Sequence, residues 1–247
     1  MDGPTTLPDP PPLGQLLGDG PVALFLDFDG TLVDIAPAPD AIHVPQGLAD
    51  RLHALDARIG GRLAVVSGRA LDDIERHVGA LELARAGSHG LHRLHANGRP
   101  AGEAPEPLPE AVVEALRTYA AEHGLRYETK AHGGALHYRQ RPEWEDAAQD
   151  FAATIAQDHG LAVKRGKAVA ELVRPGASKE GAVEAFMSDA PFAGATPIFL
   201  GDDVTDEDGF RGAERFGGFG IAVGERASER ARYRLDNVAA VHHWLEI

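Results

Sequence analysis

The stretch LFLDFDGTLVDI, Leu24–Ile35, begins with an apolar run that ends abruptly in two aspartates, Asp27 and Asp29, separated by one phenylalanine. A continuous apolar segment of this kind is typical of a strand that is buried on both faces of a parallel sheet. Gly30 and Thr31 follow the aspartates, where a turn is expected. Because ligands bind beyond the carboxyl ends of such strands, this stretch predicts both the fold class and the position of a functional site.

Other segments repeat this pattern along the chain. RLAVVSGR is an apolar strand that ends in Ser67, Gly68 and Arg69, and TPIFLGDD ends in Asp202 and Asp203. Segments with helical spacing of apolar residues separate or follow the strands, over 46–57, 72–78, 205–215 and the C-terminal VAAVHHWLEI. The alternation predicts an α/β protein with a doubly wound, mostly parallel, Rossmann-like sheet.

A different texture occupies the middle of the chain. The stretch HANGRPAGEAPEPLPE is rich in Pro, Gly and Glu, which indicates a hairpin and a domain boundary. Beyond it the pattern runs helix, strand pair, helix, strand pair, which is an α+β unit of its own. We therefore expect a loose Pro/Gly-rich tail over 1–18, a core over 19–98 and 174–247, and an inserted smaller α+β cap domain over 99–173.

Composition narrows the classes of function. The chain has 247 residues, 43% of them hydrophobic, which suits a sizeable core. Its formal net charge of −14 disfavours nucleic acid and anionic membrane surfaces as partners. With no cysteine there are no disulfides, no thiolate catalysis and no Cys-ligated zinc. No secretory signal or membrane-length apolar segment is evident, so we expect a cytoplasmic protein that binds a small molecule.

The polar residues at the strand ends form a set suited to phosphoryl transfer. Neighbouring carboxylates repel one another, and an all-oxygen site of few carboxylates suits Mg²⁺. One aspartate of the pair Asp27 and Asp29 can bind the cation and attack phosphorus, while the other, two residues on, can exchange a proton with the leaving oxygen and with water. Ser67 can donate a hydrogen bond to the phosphoryl group, and Lys179 can neutralise its charge.

The order of these motifs carries a resemblance. DFDGT, Ser67, Lys179 and GDD resemble the four motifs of the haloacid-dehalogenase-like phosphatases. The resemblance implies a core with that fold, Asp27 as nucleophile and Asp29 as general acid and base.

Three histidines, His89, His92 and His95, recur every third residue, but on a strand this spacing alternates faces, so we expect no zinc site there.

The same resemblance implies ligands for the metal and the phosphate. Mg²⁺ is expected on the Asp27 side chain, the Asp29 backbone carbonyl and Asp202, with Asp206 acting through a water molecule. Gly30 would let the chain pass close to the phosphate. The residues expected to contact the phosphate are Gly30, Thr31, Ser67, Gly68 and Lys179.

A closer resemblance includes the inserted block. ETKAHGGALHYR, ELVRPGASKEGA and GDDVTDEDGF are similar to segments of the trehalose-6-phosphate phosphatases. This implies hydrolysis of trehalose 6-phosphate. The positions that would bind the sugar are Arg69 from the core and Glu128, Lys130, Arg139 and Glu171 from the cap. Two positions depart from the family pattern: Glu180 stands where a glycine is common, and His92 where an acid is frequent.

Three alternatives stay open at the level of sequence. The first keeps the chemistry and changes the substrate to sucrose 6-phosphate or a glycosyl-phosphoglycerate. The second is a sugar-phosphate sensor without catalysis, which the intact Asp27 and Asp29 disfavour. The third is a signalling receiver domain, which shares an aspartate nucleophile and Mg²⁺ but is about half this length, lacks an inserted cap and has no use for an acid two residues after the nucleophile.

Overall fold

The computed structural model describes residues 7–36, 41–102, 106–130, 133–166, 168–175 and 178–247. The chain divides into two compact units. The core unit comprises Met1–Glu103 and Ser178–Ile247, and the inserted unit comprises Ala104–Ala177. Among the described residues, no helix is long and apolar enough to cross a membrane.

The strands and helices alternate along most of the core unit. The strands are β1 Val22–Leu26, β2 Leu63–Val66, β3 Ala84–Gly87, β4 His92–Leu94, β5 Arg126–Lys130, β6 Gly133–His137, β7 Ala162–Gly166, β8 Val169–Val173, β9 Thr196–Gly201, β10 Phe219–Val223 and β11 Ala231–Leu235. The helices are α1 Leu13–Asp19, α2 Leu48–Arg58, α3 Leu71–Val78, α4 Glu110–His123, α5 Glu145–His159, α6 Lys179–Met187, α7 Asp206–Arg215 and α8 Val238–Leu245.

The core unit contains a seven-stranded sheet in the order β11-β10-β9-β1-β2-β3-β4. Neighbouring strands are parallel throughout, except that β4 pairs antiparallel with β3. The strand order reverses at β1, which has β9 on one side and β2 on the other. The predicted α/β class with a doubly wound, mostly parallel sheet is therefore confirmed.

Both faces of the central strand are buried, which explains its unbroken apolar sequence. Leu24 and Leu26 belong to one apolar cluster, whereas Ala23 and Phe25 belong to another. Successive side chains of a strand point to opposite faces, so β1 joins two separate layers of core. Full burial of each leucine contributes about 1.5–3 kcal/mol, which fixes the strand that carries Asp27.

The predicted loose tail is wrong for residues 7–18, which pack on the core unit. Leu13 in α1 is 1% exposed. The carbonyl of Pro8 accepts a hydrogen bond from the backbone N–H of Arg234 (3.0 Å), and the carbonyl of Pro11 accepts one from Trp244 Nε1 (2.8 Å). Proline lacks an N–H but keeps its carbonyl acceptor, so a proline-rich segment can still bond along one side. Residues 1–6 lie outside the described residues.

The inserted unit is an antiparallel sheet in the order β5-β6-β8-β7, with α4 and α5 packed on one face. Its apolar cluster joins Leu116 of α4 and Ala152 of α5 to Leu136 and Leu172 of the sheet. The glycine pair Gly133 and Gly134 begins β6, which pairs antiparallel with β5. At Gly134 a Cβ atom would stand 2.9 Å from Leu116 Cδ1, so close packing of the helix on the strand explains this glycine.

Candidate active site

Three carboxylates meet at the carboxyl end of the parallel sheet. Asp27 follows β1, Asp202 follows the adjacent β9, and Asp206 begins α7. One oxygen from each lies within 4.8 Å of the others. The sheet brings them together because parallel neighbours end at the same edge. The structure thus assembles three of the four residues predicted to hold a metal.

Lys179 bridges two of these acids from the first turn of α6. Its Nζ donates to Asp27 Oδ1 (2.7 Å) and to Asp206 Oδ1 (2.6 Å). The side chain is 3% exposed, so this is no solvated lysine on a helix surface. Ser178 caps the helix, because its Oγ accepts from the Gly181 N–H (3.0 Å). Burial alone would lower the pKa of Lys179, but Asp206 and Asp27 raise it above its ordinary value.

The cluster carries more negative charge than Lys179 neutralises. Burial, followed by repulsion from Asp206, raises the pKa of Asp27 well above its ordinary value. The pKa of Asp202 is raised to about 6, first by burial and then by Asp206 and Asp203. A divalent cation would remove this repulsion, and carboxylate oxygens are the ligands that Mg²⁺ prefers. The donor set and its electrostatics therefore fit Mg²⁺.

Gly30 is required where it stands. Its φ is +78°, in the left-handed region that favours glycine. A Cβ atom here would lie 2.2 Å from Asp202 Oδ2, so a side chain would collide with the acidic cluster. The Gly30 N–H donates to the Val33 carbonyl (2.7 Å), which closes a tight turn after Asp29.

Two predicted phosphate ligands offer buried hydroxyl groups. Thr31 is fully buried, and its Oγ1 has no hydrogen-bond partner among the described residues. A buried hydroxyl without a partner is uncommon and suits an incoming phosphate oxygen. Ser67, 1% exposed, accepts from the Arg69 N–H through Oγ (3.1 Å), which leaves its hydroxyl hydrogen for a ligand. At Gly68 a Cβ atom would lie 2.8 Å from the ring of His89, so a side chain there would require this ring to move.

The side chain of Asp29 pairs with Arg69. Nε of Arg69 donates to Asp29 Oδ2 (2.6 Å) and Nη2 to Oδ1 (2.8 Å), a bidentate arrangement. Nη1 of the same guanidinium donates to Asp73 Oδ2 (2.7 Å). The arginine predicted to bind substrate therefore holds the predicted acid and base in the described structure.

The cap residues Glu128, Lys130 and Glu171 lie on one face of the inserted sheet. In the strand register, Glu128 is opposite Ala135, which is in turn opposite Glu171. Lys130 Nζ lies 2.9 Å from Glu171 Oε1. Glu128 Oε2 lies 2.6 Å from His137 Nε2. The opposite face of the sheet packs on the helices, so this polar face is the one that a sugar could contact.

Arg139 and Lys164 are two further charged residues of the inserted unit. Arg139 is exposed and lies just beyond β6. Lys164 lies opposite Glu171 in the register, on the same face as the predicted sugar-binding residues. Sequence reasoning missed Lys164, although period-two alternation along β7 could have indicated it.

The two departures from the family pattern are accommodated without disturbing the acidic cluster. Glu180, in the first turn of α6, pairs with Arg211 (2.7 Å) and Arg215 (3.1 Å) of α7. His92 lies in β4, where burial lowers its pKa. In α8, His242 donates from Nε2 to the Leu32 carbonyl (2.9 Å).

Arg226, a residue that the sequence did not indicate, contacts the acidic loop, which is the segment 202–205 between β9 and α7. It lies after β10, and its guanidinium donates to the carbonyls of Asp202 and Asp203 (3.0 Å each) and to Glu207 Oε1 (2.9 Å). Its loop has no motif of its own. The only available signal was its position beyond the carboxyl end of a strand next to β9.

Comparisons with known proteins show similarity along most of the chain. A family model described as trehalose-phosphatase matches residues 25–239. A trehalose-6-phosphate phosphatase of Escherichia coli strain K12 is 39% identical over 228 residues, which cover 91% of this chain and 85% of that protein.

Solved structures share the fold. The C-terminal domain of a Candida albicans trehalose-6-phosphate phosphatase aligns with a TM-score of 0.76 at 21% identity, over 98% of each chain. A phosphatase of the haloalkanoate (HAD) superfamily from Bacteroides thetaiotaomicron aligns with a TM-score of 0.64 at 18% identity, over 90% of this chain and 92% of that one. The HAD-like fold predicted from the motif order is confirmed.

Proposed function

The chain belongs to the trehalose-phosphatase family, and on this basis we propose that it hydrolyses trehalose 6-phosphate to trehalose and phosphate. The observation that carries the chemistry is the buried lysine between two carboxylates, with a third carboxylate within 4.8 Å. Such an arrangement provides a fixed nucleophile, a fixed positive charge and an all-oxygen metal site. The identity of the substrate is inferred from the relatives. The polar face of the sheet in the inserted unit, which offers groups that can bind sugar hydroxyls, supports this inference.

Asp27 is the proposed nucleophile. Its backbone N–H donates to the Leu200 carbonyl (2.9 Å), and Lys179 holds one of its carboxylate oxygens. A bond forms between an Asp27 oxygen and phosphorus while the bond from phosphorus to the sugar oxygen breaks. Water then attacks the resulting aspartyl-phosphate, which releases phosphate and restores the carboxylate.

Asp29 is the proposed acid and base. It gives a proton to the leaving sugar oxygen, and later takes one from the attacking water. In the described structure both oxygens of Asp29 accept hydrogen bonds from Arg69, so neither is open to the leaving oxygen of a substrate. We therefore expect Arg69 to release Asp29 when the substrate binds, and to turn its donors to the substrate, which reconciles its two roles.

The metal site would use the cluster at the sheet edge. The side chains of Asp27 and Asp202 and the carbonyl of Asp29 would hold Mg²⁺ directly, with Asp206 acting through water. Asp206 is already occupied by Lys179 and by the Asp203 N–H (2.8 Å), which supports the indirect role. When bound, the cation supplies positive charge that neutralises the phosphate oxygens.

The remaining residues would bind the phosphate and the sugar. The hydroxyls of Thr31 and Ser67 and the backbone at Gly30 and Gly68 would face the phosphoryl oxygens, and Lys179 would neutralise their charge. The unpartnered Thr31 Oγ1 supports this. On the sugar side, carboxylates accept from hydroxyl groups and cations donate to oxygens; the residues concerned are Arg69, Glu128, Lys130, Arg139 and Glu171.

A phosphate-release panel tests the substrate. The panel contains trehalose 6-phosphate, sucrose 6-phosphate, a glucosyl-phosphoglycerate and a small aryl phosphate, each with Mg²⁺ and with a chelator. We expect the highest kcat/KM for trehalose 6-phosphate, and loss of all activity in chelator. A higher kcat/KM for another sugar phosphate would replace the substrate, and release from none of them would leave only a sensor.

A further inference from the structure

We infer that Arg226 is a positioning residue for the acidic loop between β9 and α7, and that the affinity of the site for a divalent cation depends on it. The inference rests on the proposed function, because it concerns the same carboxylates. It adds a residue that neither reacts nor binds the cation itself.

The guanidinium of Arg226 uses four of its five N–H groups. Nε donates to the Asp202 carbonyl (3.0 Å), and Nη2 donates both to the Asp203 carbonyl (3.0 Å) and to Glu207 Oε1 (2.9 Å). Nη1 donates to the carbonyl of Ala227 in its own loop (2.7 Å). One side chain thus joins the start of the acidic loop to the first turn of α7.

These bonds fix the residues that carry the carboxylates. The Asp202 carbonyl is part of the same residue's backbone, so a bond to it restrains the position of the Asp202 side chain. Glu207 directly follows Asp206 in α7, so a bond to Glu207 restrains the turn that carries Asp206. The carboxylates repel one another, so without a tether the loop would relax to separate them. Arg226 opposes this relaxation through two backbone contacts and one ion pair, and it places positive charge beside the loop.

The loop that carries Arg226 is held in turn. Arg234 on β11 donates to the carbonyl of Gly224 (3.0 Å) and to that of Arg226 itself (3.0 Å). Glu207 also accepts from the N–H of Arg230 (3.0 Å). The edge of the sheet therefore supports the acidic loop through a connected set of hydrogen bonds.

The geometry needs a guanidinium. Two carbonyls and a carboxylate surround the planar group of Arg226 and receive hydrogen bonds from two different nitrogens. Lysine has a single nitrogen on a flexible stem and cannot reproduce a fork of donors. Partners that orient metal ligands in this way typically contribute about 10- to 100-fold to metal affinity or activity.

Binding of Mn²⁺ in the absence of substrate provides the test, with the free ion followed by electron paramagnetic resonance. We expect Arg226→Gln in the full chain to raise the Kd for Mn²⁺ about 10- to 100-fold. Arg211→Gln is the matched control, because Arg211 lies in α7 and pairs with Glu180 and Asp208 rather than with the acidic loop. We expect it to bind Mn²⁺ as the wild type does.

Phosphate release adds a second readout. In Arg226→Gln the Mg²⁺ concentration for half-maximal release should rise by a similar factor, and saturating Mg²⁺ should restore most of kcat. If Arg226→Gln fails to fold, as judged by circular dichroism, Arg226→Lys replaces it and should still bind Mn²⁺ at least several-fold more weakly than the wild type.

The outcomes separate the two proposals. Wild-type protein that binds no Mn²⁺ would overturn the metal site, and this inference with it. Wild-type binding that Arg226→Gln and Arg226→Lys retain within twofold would overturn the role of Arg226 and leave the proposed function standing. An equal loss in Arg211→Gln would show a general effect on α7, which also contradicts the inference.

Discussion

At the scale of single residues, one buried ammonium group holds the candidate site together. Among the described residues, Lys179 is the only cation that bonds to Asp27 and Asp206. All three side chains are buried. Removing one partner of such a group leaves uncompensated charge in the interior, whereas the intact pairs offset their own desolvation only in part. Removal of the lysine alone should therefore destabilise the folded protein.

Lys179→Met tests this balance. We expect it to abolish phosphate release and to lower the free energy of unfolding by about 3–5 kcal/mol, measured by urea unfolding in chelator. The loss should be smaller in Lys179→Met/Asp206→Asn, which removes one of the stranded charges. A single variant as stable as the wild type would contradict the account.

Gly30 offers a second test, with a built-in control. Gly30→Ala strains a backbone with φ +78° and also drives a Cβ atom into Asp202. Gly217 has nearly the same φ, +79°, but a Cβ atom added there would meet nothing within 4 Å among the described residues. Both alanine variants should lose about 1–3 kcal/mol of stability from backbone strain.

Only Gly30→Ala should also lose phosphate release and Mn²⁺ binding, because only there does the new methyl group collide with Asp202, a proposed metal ligand. Full activity in Gly30→Ala, or matched losses in Gly217→Ala, would disprove the close contact with Asp202. Stability by urea unfolding and Mn²⁺ binding are measured on the same samples.

At the scale of elements, prediction from the sequence was best where a strand is buried on both faces. Strands β1, β2 and β9 are continuous apolar runs because both faces are covered, and each was predicted at its place. Strand β11, with sequence ARYRL, was missed because it is a half-exposed edge strand with no apolar run. Helix α1 was missed because the surrounding prolines and glycines suggested a loop.

The hairpin of β5 and β6 predicts a dependence of stability on pH. The hydrogen bond from His137 lowers the pKa of Glu128 below its ordinary value of 4.5, although burial opposes the shift. A lowered pKa in the folded state stabilises the protein above the unfolded pKa, and this contribution is lost as pH falls through the folded value. The loss therefore begins below pH 4.5.

Glu128→Gln should remove this part of the acid sensitivity. We expect its free energy of unfolding to fall less than that of the wild type when pH is lowered from neutrality to below 4.5. Glu143→Gln is the control, because Glu143 pairs with Arg141 on an exposed surface where solvent screens the charge. Identical acid profiles for wild type and Glu128→Gln would refute the role of the His137 contact.

At the scale of the whole molecule, chemistry and sugar recognition are assigned to different units. Asp27, Lys179 and Asp202 lie in the core unit, whereas Glu128 and Glu171 lie in the inserted unit. Polar residues at strand ends predicted a phosphate and metal site without knowledge of any relative. The sugar followed only from the resemblance, because no physical rule reads a disaccharide from a few carboxylates and amines.

Because the two proposed roles lie in different units, substitutions in the inserted unit should reduce activity selectively on the sugar phosphate. Glu128→Ala and Arg139→Ala should reduce kcat/KM for trehalose 6-phosphate by at least about tenfold while leaving that for a small aryl phosphate within about threefold, because binding of the nonreacting sugar is used to lower the barrier. Steady-state kinetics on both substrates measures this. Equal losses on the two substrates would mean that these residues do not recognise the sugar.

Some contacts of the folded chain could not be predicted from the sequence. Arg226 donates to the backbone carbonyls of Asp202 and Asp203, and the strand register places Lys164 opposite Glu171. Neither has a motif, since both depend on which strands become neighbours in space. Asp29 and Arg69 were predicted separately, but their bidentate pairing required the folded chain.

The proposed mechanism depends on attack of Asp27 on phosphorus. Asp27→Asn keeps the shape of the side chain and removes a charge that burial and Asp206 disfavour, so the variant should fold and retain Lys179 on Asp206. Phosphate release from trehalose 6-phosphate with Mg²⁺ is the most direct measurement. We predict a loss of at least about 10³-fold in kcat, of the order seen when a catalytic nucleophile is removed. A folded Asp27→Asn that releases phosphate at a rate within about tenfold of the wild type would contradict the account.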